Sequence, residues 1–178
     1  GHGLGGGVAI TLATRHAELV RKLALVAPLC YPCAPNRALR PALWPLVGSS
    51  VFKQLFSWRR FRGYFCEQIY SDGFQPAPGR VESAYEQFNS PLARESAYAV
   101  LRSTLDTRAI VARVSRIRQP TLVTWGRKDK IYPAAFALKL AREIPDARLE
   151  LFDAGHAPHE EHPMEFCRRV SAFLKDDA

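Results

Sequence analysis

Three short apolar runs alternate with stretches of helical pattern, and that alternation limits the architectures open to this chain. The first run, residues 21–28 (RKLALVAP), is nearly continuous and is stopped by proline. It reads as a strand buried on both faces, as in a parallel sheet. The second, residues 121–125 (TLVTW), follows Pro120 and ends at Gly126, and the third, residues 147–152 (ARLELF), follows the turn at Pro145 and Asp146. A helical pattern precedes the first run, ending near His16. A second opens at Pro133, where a missing N–H is harmless in the first turn. A third closes the chain as MEFCRRVSAFLK, with Phe166, Val170, Phe173 and Leu174 on one side. Strands alternating with helices predict an α/β fold with a partial doubly wound parallel sheet and right-handed crossovers. In that architecture chemistry collects in the loops at the carboxyl ends of the strands.

Between the first and second runs the character changes. Residues 30–118 mix prolines, aromatics and arginines with helix-like stretches at 51–70, 80–89 and 92–105, interrupted at Pro76, Pro78 and Gly79. The expected organisation is a core from 1–29 and 119–178 with a helical insertion between. With 178 residues, 47% of them hydrophobic, one globular domain with a substantial core is affordable. No apolar run is long enough for a transmembrane helix. The net charge of +8 comes from arginines spread along the chain, which reads as a solvated surface and not as a nucleic-acid site. The segment SWRRFRGYF, residues 57–65, interleaves basic and aromatic residues and reads as an amphipathic helix with Phe61, Phe65 and Ile69 inward. Cys30 and Cys33 form a C-x-x-C among prolines, with no second pair to complete a zinc site. A reduced cytoplasmic chain with incidental thiols is the expectation.

The chain opens on GHGLGGG, five glycines in seven residues. Such density implies positive φ or a close backbone approach. Gly1, Gly3 and Gly6 satisfy the dinucleotide fingerprint G-x-G-x-x-G. The same stretch also fits a nucleophile elbow, G-x-S-x-G, with Gly3 where the serine would stand. Downstream, Asp129 lies four residues past Trp125 and His156 four residues past Phe152. Consecutive strands that end in an acid and then a histidine let the carboxylate fix the imidazole tautomer and leave the other nitrogen as a base. The run HAPHEEH also suggests a metal, but it does not match H-E-x-x-H, and Pro158 and Pro163 keep its histidines off one helix face.

These motifs together resemble the α/β-hydrolase fold family. GHGLGGGVAITLA is similar to that family's elbow, G-H-S-L-G-G. WGRKDKIYP is similar to its acid loop and GHAPHEEHPMEF to its histidine loop, in the order nucleophile, acid, histidine. The resemblance implies Asp129 as the triad acid, His156 as the base, Gly3 at the nucleophile position and the backbone N–H of Leu4 as an oxyanion donor. It makes residues 30–118 a helical cap whose Trp44, Phe56 and Phe61, with His159, would line an apolar substrate pocket. The dinucleotide reading fails, because the strand after the glycines ends LVAPLC with no acid for a ribose.

The implied function is that of a relative of serine hydrolases acting on small apolar esters or on acyl or C–C substrates, impaired by the loss of the nucleophile and by truncation. No cofactor or metal is implied. The alternatives are a non-catalytic protein that binds an apolar ligand, and a His–Asp general-base enzyme without a nucleophile. The chain begins at a motif with no initiator Met, so the expectation is a fragment lacking the family's first half. Its strand at 21–28 would then show an open edge through which it could self-associate.

Overall fold

The computed structural model describes residues 1–35, 37–55 and 57–176. Three parallel strands, β1 (Leu23–Val26), β2 (Thr121–Gly126) and β3 (Ala147–Phe152), lie side by side in chain order. Leu23 pairs with Thr121, and Thr121 pairs with Ala147. The sheet is the parallel one expected, with each crossover made by helical chain.

Strand period two sorts the side chains onto two faces. Leu23, Leu25, Val123, Trp125, Leu149 and Leu151 point to one face, where they meet Ile10 and Ala13 of α1 (Leu4–Arg15), Val114 of α6 (Arg108–Val114) and Leu140 of α7 (Ala135–Glu143). This is the main core. Arg148, Glu150 and Phe152 point the other way, toward α9 (Pro163–Lys175): Arg169 bonds Glu150, and Phe152 packs on Phe166 at 5.9 Å. Lys22, just before β1, donates to the carbonyl of Phe173 at 2.9 Å and so covers unsatisfied carbonyls at the end of α9. β2 in the middle is buried at all six positions, as a strand covered on both faces must be.

The insert between β1 and β2 holds α2 (Gly48–Leu55), α3 (Trp58–Ile69), α4 (Arg80–Phe88) and α5 (Pro91–Ser103). The helix expected across 51–70 is therefore two, since Ser57 is extended (φ −63°, ψ 159°) and starts α3 afresh. α6 gave no distinct sequence signal, being seven residues long. It packs on α1, and Val114 and Ile117 are fully buried in the main core, as are Cys30 and Tyr31 within 2%. The segment apart from the core is thus narrower at both ends than 30–118. The loop expected after β3 also contains one short helical turn, α8 (Pro158–Glu161).

The edge of β1 is less open than expected. Residues 1–3 run parallel to it, with a bridge between His2 and Val26, a bond from Val26 N–H to Gly1 O at 2.9 Å and one from Gly3 N–H to Val26 O at 3.0 Å. Among the described residues no helix is long and apolar enough to cross a membrane.

Candidate active site

The first component is a backbone turn. Residues 1–3 come up beside β1, and the chain reverses at Gly3 with φ +52° and ψ −120° before α1 starts at Leu4. A side chain at such a φ is strained, so glycine holds this shape at least cost. Neighbouring backbone fixes the turn: the Gly3 carbonyl accepts from Gly6 N–H at 3.0 Å and Leu29 N–H at 2.8 Å. α1 crosses so close to the end of β1 that a Cβ on Gly6 would stand 2.4 Å from the Pro28 Cβ. The Leu4 N–H belongs to the first turn of α1, whose amides have no partner within the helix.

The second component is the loop after β2. The Asp129 side chain is fully buried. Its Oδ1 accepts from Ile131 N–H at 2.8 Å and Tyr132 N–H at 2.9 Å, which aims Oδ2 away from the loop. The indole N–H of the fully buried Trp125 donates to Tyr132 O at 3.1 Å, so the loop rests on the core.

The third component is the loop after β3. The His156 ring is 6% exposed, and its Nδ1 lies 2.8 Å from Asp129 Oδ2. The carboxylate accepts, so Nδ1 carries the proton and Nε2 is left as the basic nitrogen. A Cβ built on Gly3 would lie 3.4 Å from that Nε2, and among the described residues no other atom beyond its chain neighbours comes within 4 Å of that Cβ. The structure brings the three loops together, with His156 between Asp129 and the turn at Gly3.

His2 is a residue that the sequence reading missed. Its Nε2 donates to His156 O at 3.0 Å, and its ring packs on those of His156 at 4.5 Å and His159 at 4.8 Å. Burial, then the neighbouring His156 and His159, push its pKa down to about 4, so it is neutral near pH 7. The signal available was its place in GHGLGGG, beside the turn. His159 packs between His2 and Phe166, its buried Nδ1 has no hydrogen-bond partner among the described residues, and burial lowers its pKa.

A cleft of about 260 Å³ opens beside Asp129 and Tyr132 and is lined also by Cys33, Tyr64, Gln68 and Leu105. An apolar chamber of about 270 Å³ inside the insert, lined by Phe52, Phe61 and Phe88, shares Leu39, Tyr64, Leu101 and Thr104 with it. The two spaces therefore adjoin at these four side chains. Phe61 stands in the chamber as expected of an inward residue of α3. Trp44 does not: it is 59% exposed and lines a different hollow with Leu46, Tyr98 and Arg102. Phe56 lies outside the described residues. Cys30 and Cys33 are both free thiols; burial pushes Cys30 up to about 12, the opposite of a reactive cysteine.

Residues 1–169 match the Alpha/beta hydrolase family. The chain is 32% identical over 182 residues to a 2-hydroxymuconate semialdehyde hydrolase of Pseudomonas putida, covering 99% of this chain and 61% of that protein. It is 31% identical over 177 residues to a pimeloyl-[acyl-carrier protein] methyl ester esterase of Aromatoleum aromaticum, covering 93% of this chain and 68% of the esterase. The crystal structure of a serine hydrolase from the polyaromatic hydrocarbon-degrading bacterium Cycloclasticus zankles superposes with a TM-score of 0.76 at 25% identity, over 99% of this chain and 64% of that one. The chain thus spans about three fifths of the length of the first relative.

Proposed function

Since this chain belongs to the alpha/beta hydrolase family, we propose that Asp129 and His156 are the acid and base of a serine-hydrolase-type site whose nucleophile position is Gly3. The observation that carries this reading is the 3.4 Å between His156 Nε2 and a Cβ built on Gly3. A serine there would put its hydroxyl within reach of Nε2. His156 would take the hydroxyl proton as the oxygen attacked a carbonyl, and Asp129 would stabilise the imidazolium. The Leu4 N–H, at the start of α1, is the donor for the oxyanion that forms. The insert acts as a cap, with the cleft beside Asp129 and the apolar pocket around Phe61 for the apolar part of a substrate. The substrates proposed for this site are small apolar esters or related acyl or C–C compounds; the names of the relatives support hydrolysis, one of them of a methyl ester.

With glycine at position 3 there is no oxygen to attack, and hydrolysis through an acyl-enzyme is blocked. Gly3→Ser should raise hydrolysis of a p-nitrophenyl ester by orders of magnitude, and adding His156→Ala should remove the gain. No gain on Gly3→Ser would overturn the assignment. A second reading follows from the missing side chain on Gly3, whose Cβ position lies 3.4 Å from Nε2: His156 activates a water directly. It requires slow hydrolysis in the Gly3 protein that His156→Ala abolishes. Binding of an apolar ligand without turnover, even in Gly3→Ser, would identify a binding protein instead.

A further inference from the structure

The turn that follows α3, residues 69–72, is bonded to both loops of the site. The His156 N–H donates to Ile69 O at 2.7 Å. One oxygen of Glu161 accepts from Gly155 N–H at 2.7 Å and from Ser71 N–H at 3.1 Å, and the other accepts from the Ser71 hydroxyl. A single carboxylate thus holds the residue before His156 and a residue of the insert at once. Glu160 extends the joint: it accepts from Tyr70 Oη at 2.6 Å and from Arg80 at 2.8 and 3.0 Å. On the acid side, Lys130 donates to Glu67 O at 3.0 Å and to Asp72 at 2.6 Å.

The fit is close. A Cβ on Gly155 would stand 2.6–2.7 Å from backbone atoms of Ile69, Tyr70 and Ser71, so only glycine lets the two segments touch. Tyr70 is fully buried in the joint. Burial would raise the Glu160 carboxyl, but the bonds from Arg80 and Tyr70 outweigh it and hold it below its ordinary value. Glu160, Glu161 and Asp72 supply carboxylate acceptors to this joint, and hydrogen bonds to a carboxylate are of the stronger kind.

We propose that Glu161, supported by Glu160, is a positioning residue that clamps the insert to the His156 loop, so that the direction of the imidazole depends on the insert being seated. α3 carries the coupling: Tyr64 and Gln68 line the cleft, and the last carbonyl of the same helix holds the His156 amide. An occupant of the cleft and the ring of His156 therefore bear on one rigid element.

The catalytic part of this proposal rests on His156 being the base, whereas the geometric part does not. The geometric test uses the Gly3 protein and proton NMR of its imidazole groups. The His156 Nδ1–H bonded to Asp129 should give a downfield resonance, assigned by its loss in Asp129→Asn. Glu161→Ala should lose that resonance while the thermal transition stays cooperative. Glu161→Gln should keep it, because the amide oxygen still accepts from Gly155 and Ser71. An unchanged resonance in a folded Glu161→Ala protein overturns the clamp. Should Glu161→Ala fail to fold, Ser71→Ala and Glu160→Ala decide in the same measurement: a broadened or lost resonance supports the clamp and an unchanged one overturns it.

In Gly3→Ser protein, Glu161→Ala should lower kcat on a p-nitrophenyl ester by about 10- to 100-fold with KM within about twofold, and Glu161→Gln should restore it. Equal kcat in Glu161→Ala overturns the catalytic part. If Gly3→Ser is itself inactive while the resonance responds as above, the function proposal fails and the clamp stands.

Discussion

The two sides of the site are furnished unequally. On one side, Asp129 has both oxygens bonded and His156 is held through its Nδ1, its amide and its carbonyl. On the other, Gly3 offers backbone alone, yet keeps a conformation, φ +52° and ψ −120°, for which it has no side chain to aim. The difference teaches that the turn keeps its shape with no side chain at position 3, while the histidine takes one of its bonds from the turn's neighbour His2. The turn is fixed by main-chain bonds to Val26, Leu29 and Gly6, none of which needs a hydroxyl. The acid–base pair is fixed by its own loops and by the insert.

The sharpest way to break the comparison is at position 3. Gly3→Ser and Gly3→Ala both place a Cβ on a positive-φ backbone and should each cost about 1–3 kcal/mol of stability by urea denaturation. Only the serine should raise ester hydrolysis, by about 10³-fold or more. An equal gain from alanine would show that backbone stiffening, not the hydroxyl, was the missing part.

The furnished side leans on the core. Trp125→Ala should cost about 3–5 kcal/mol, because it empties a fully buried site and frees the Tyr132 carbonyl of the acid loop. A loss below about 1 kcal/mol in the urea midpoint analysis would mean that the acid loop stands by itself.

His2 tests the sparse side through pH. Its pKa is about 4 in the fold against an ordinary 6.5. As pH falls below 6.5 the unfolded chain takes up a proton that the folded chain refuses until about 4. Stability from this residue is therefore full above the upper value and lost progressively down to the lower, by at most about 3 kcal/mol. His2→Gln should flatten stability against pH within that window, and parallel profiles would refute a buried neutral His2. The smallest effect is expected at Trp44, where alanine should change stability by no more than about 0.5 kcal/mol. It should also leave uptake of an apolar probe intact, while Phe61→Ala weakens that uptake.

Much of the frame was legible in the sequence, for local reasons. Apolar runs closed by Pro28 and Gly126 marked strands, and an acid and a histidine at matching distances past consecutive strands marked the paired loops. What escaped was set by distant partners. Nothing near Glu161 announces Ser71, and nothing near His2 announces His156, because those contacts exist only once the insert and the sheet have met. The short α6 escaped because seven residues give too little period to read. Trp44 was misplaced for the converse reason: an aromatic in a helical insert reads as lining, whereas its neighbourhood, with Pro41 and Pro45, carries it outward to solvent.

The bond from the His156 amide to the Ile69 carbonyl has a use beyond its geometry. An amide proton exchanges with deuterium only when its acceptor lets go, so its exchange rate counts openings. Here the acceptor belongs to the insert and the donor to the histidine loop. The protection of this one amide is therefore a clock for the insert lifting away from the site. It can be read in the unmodified chain with no substrate and no turnover.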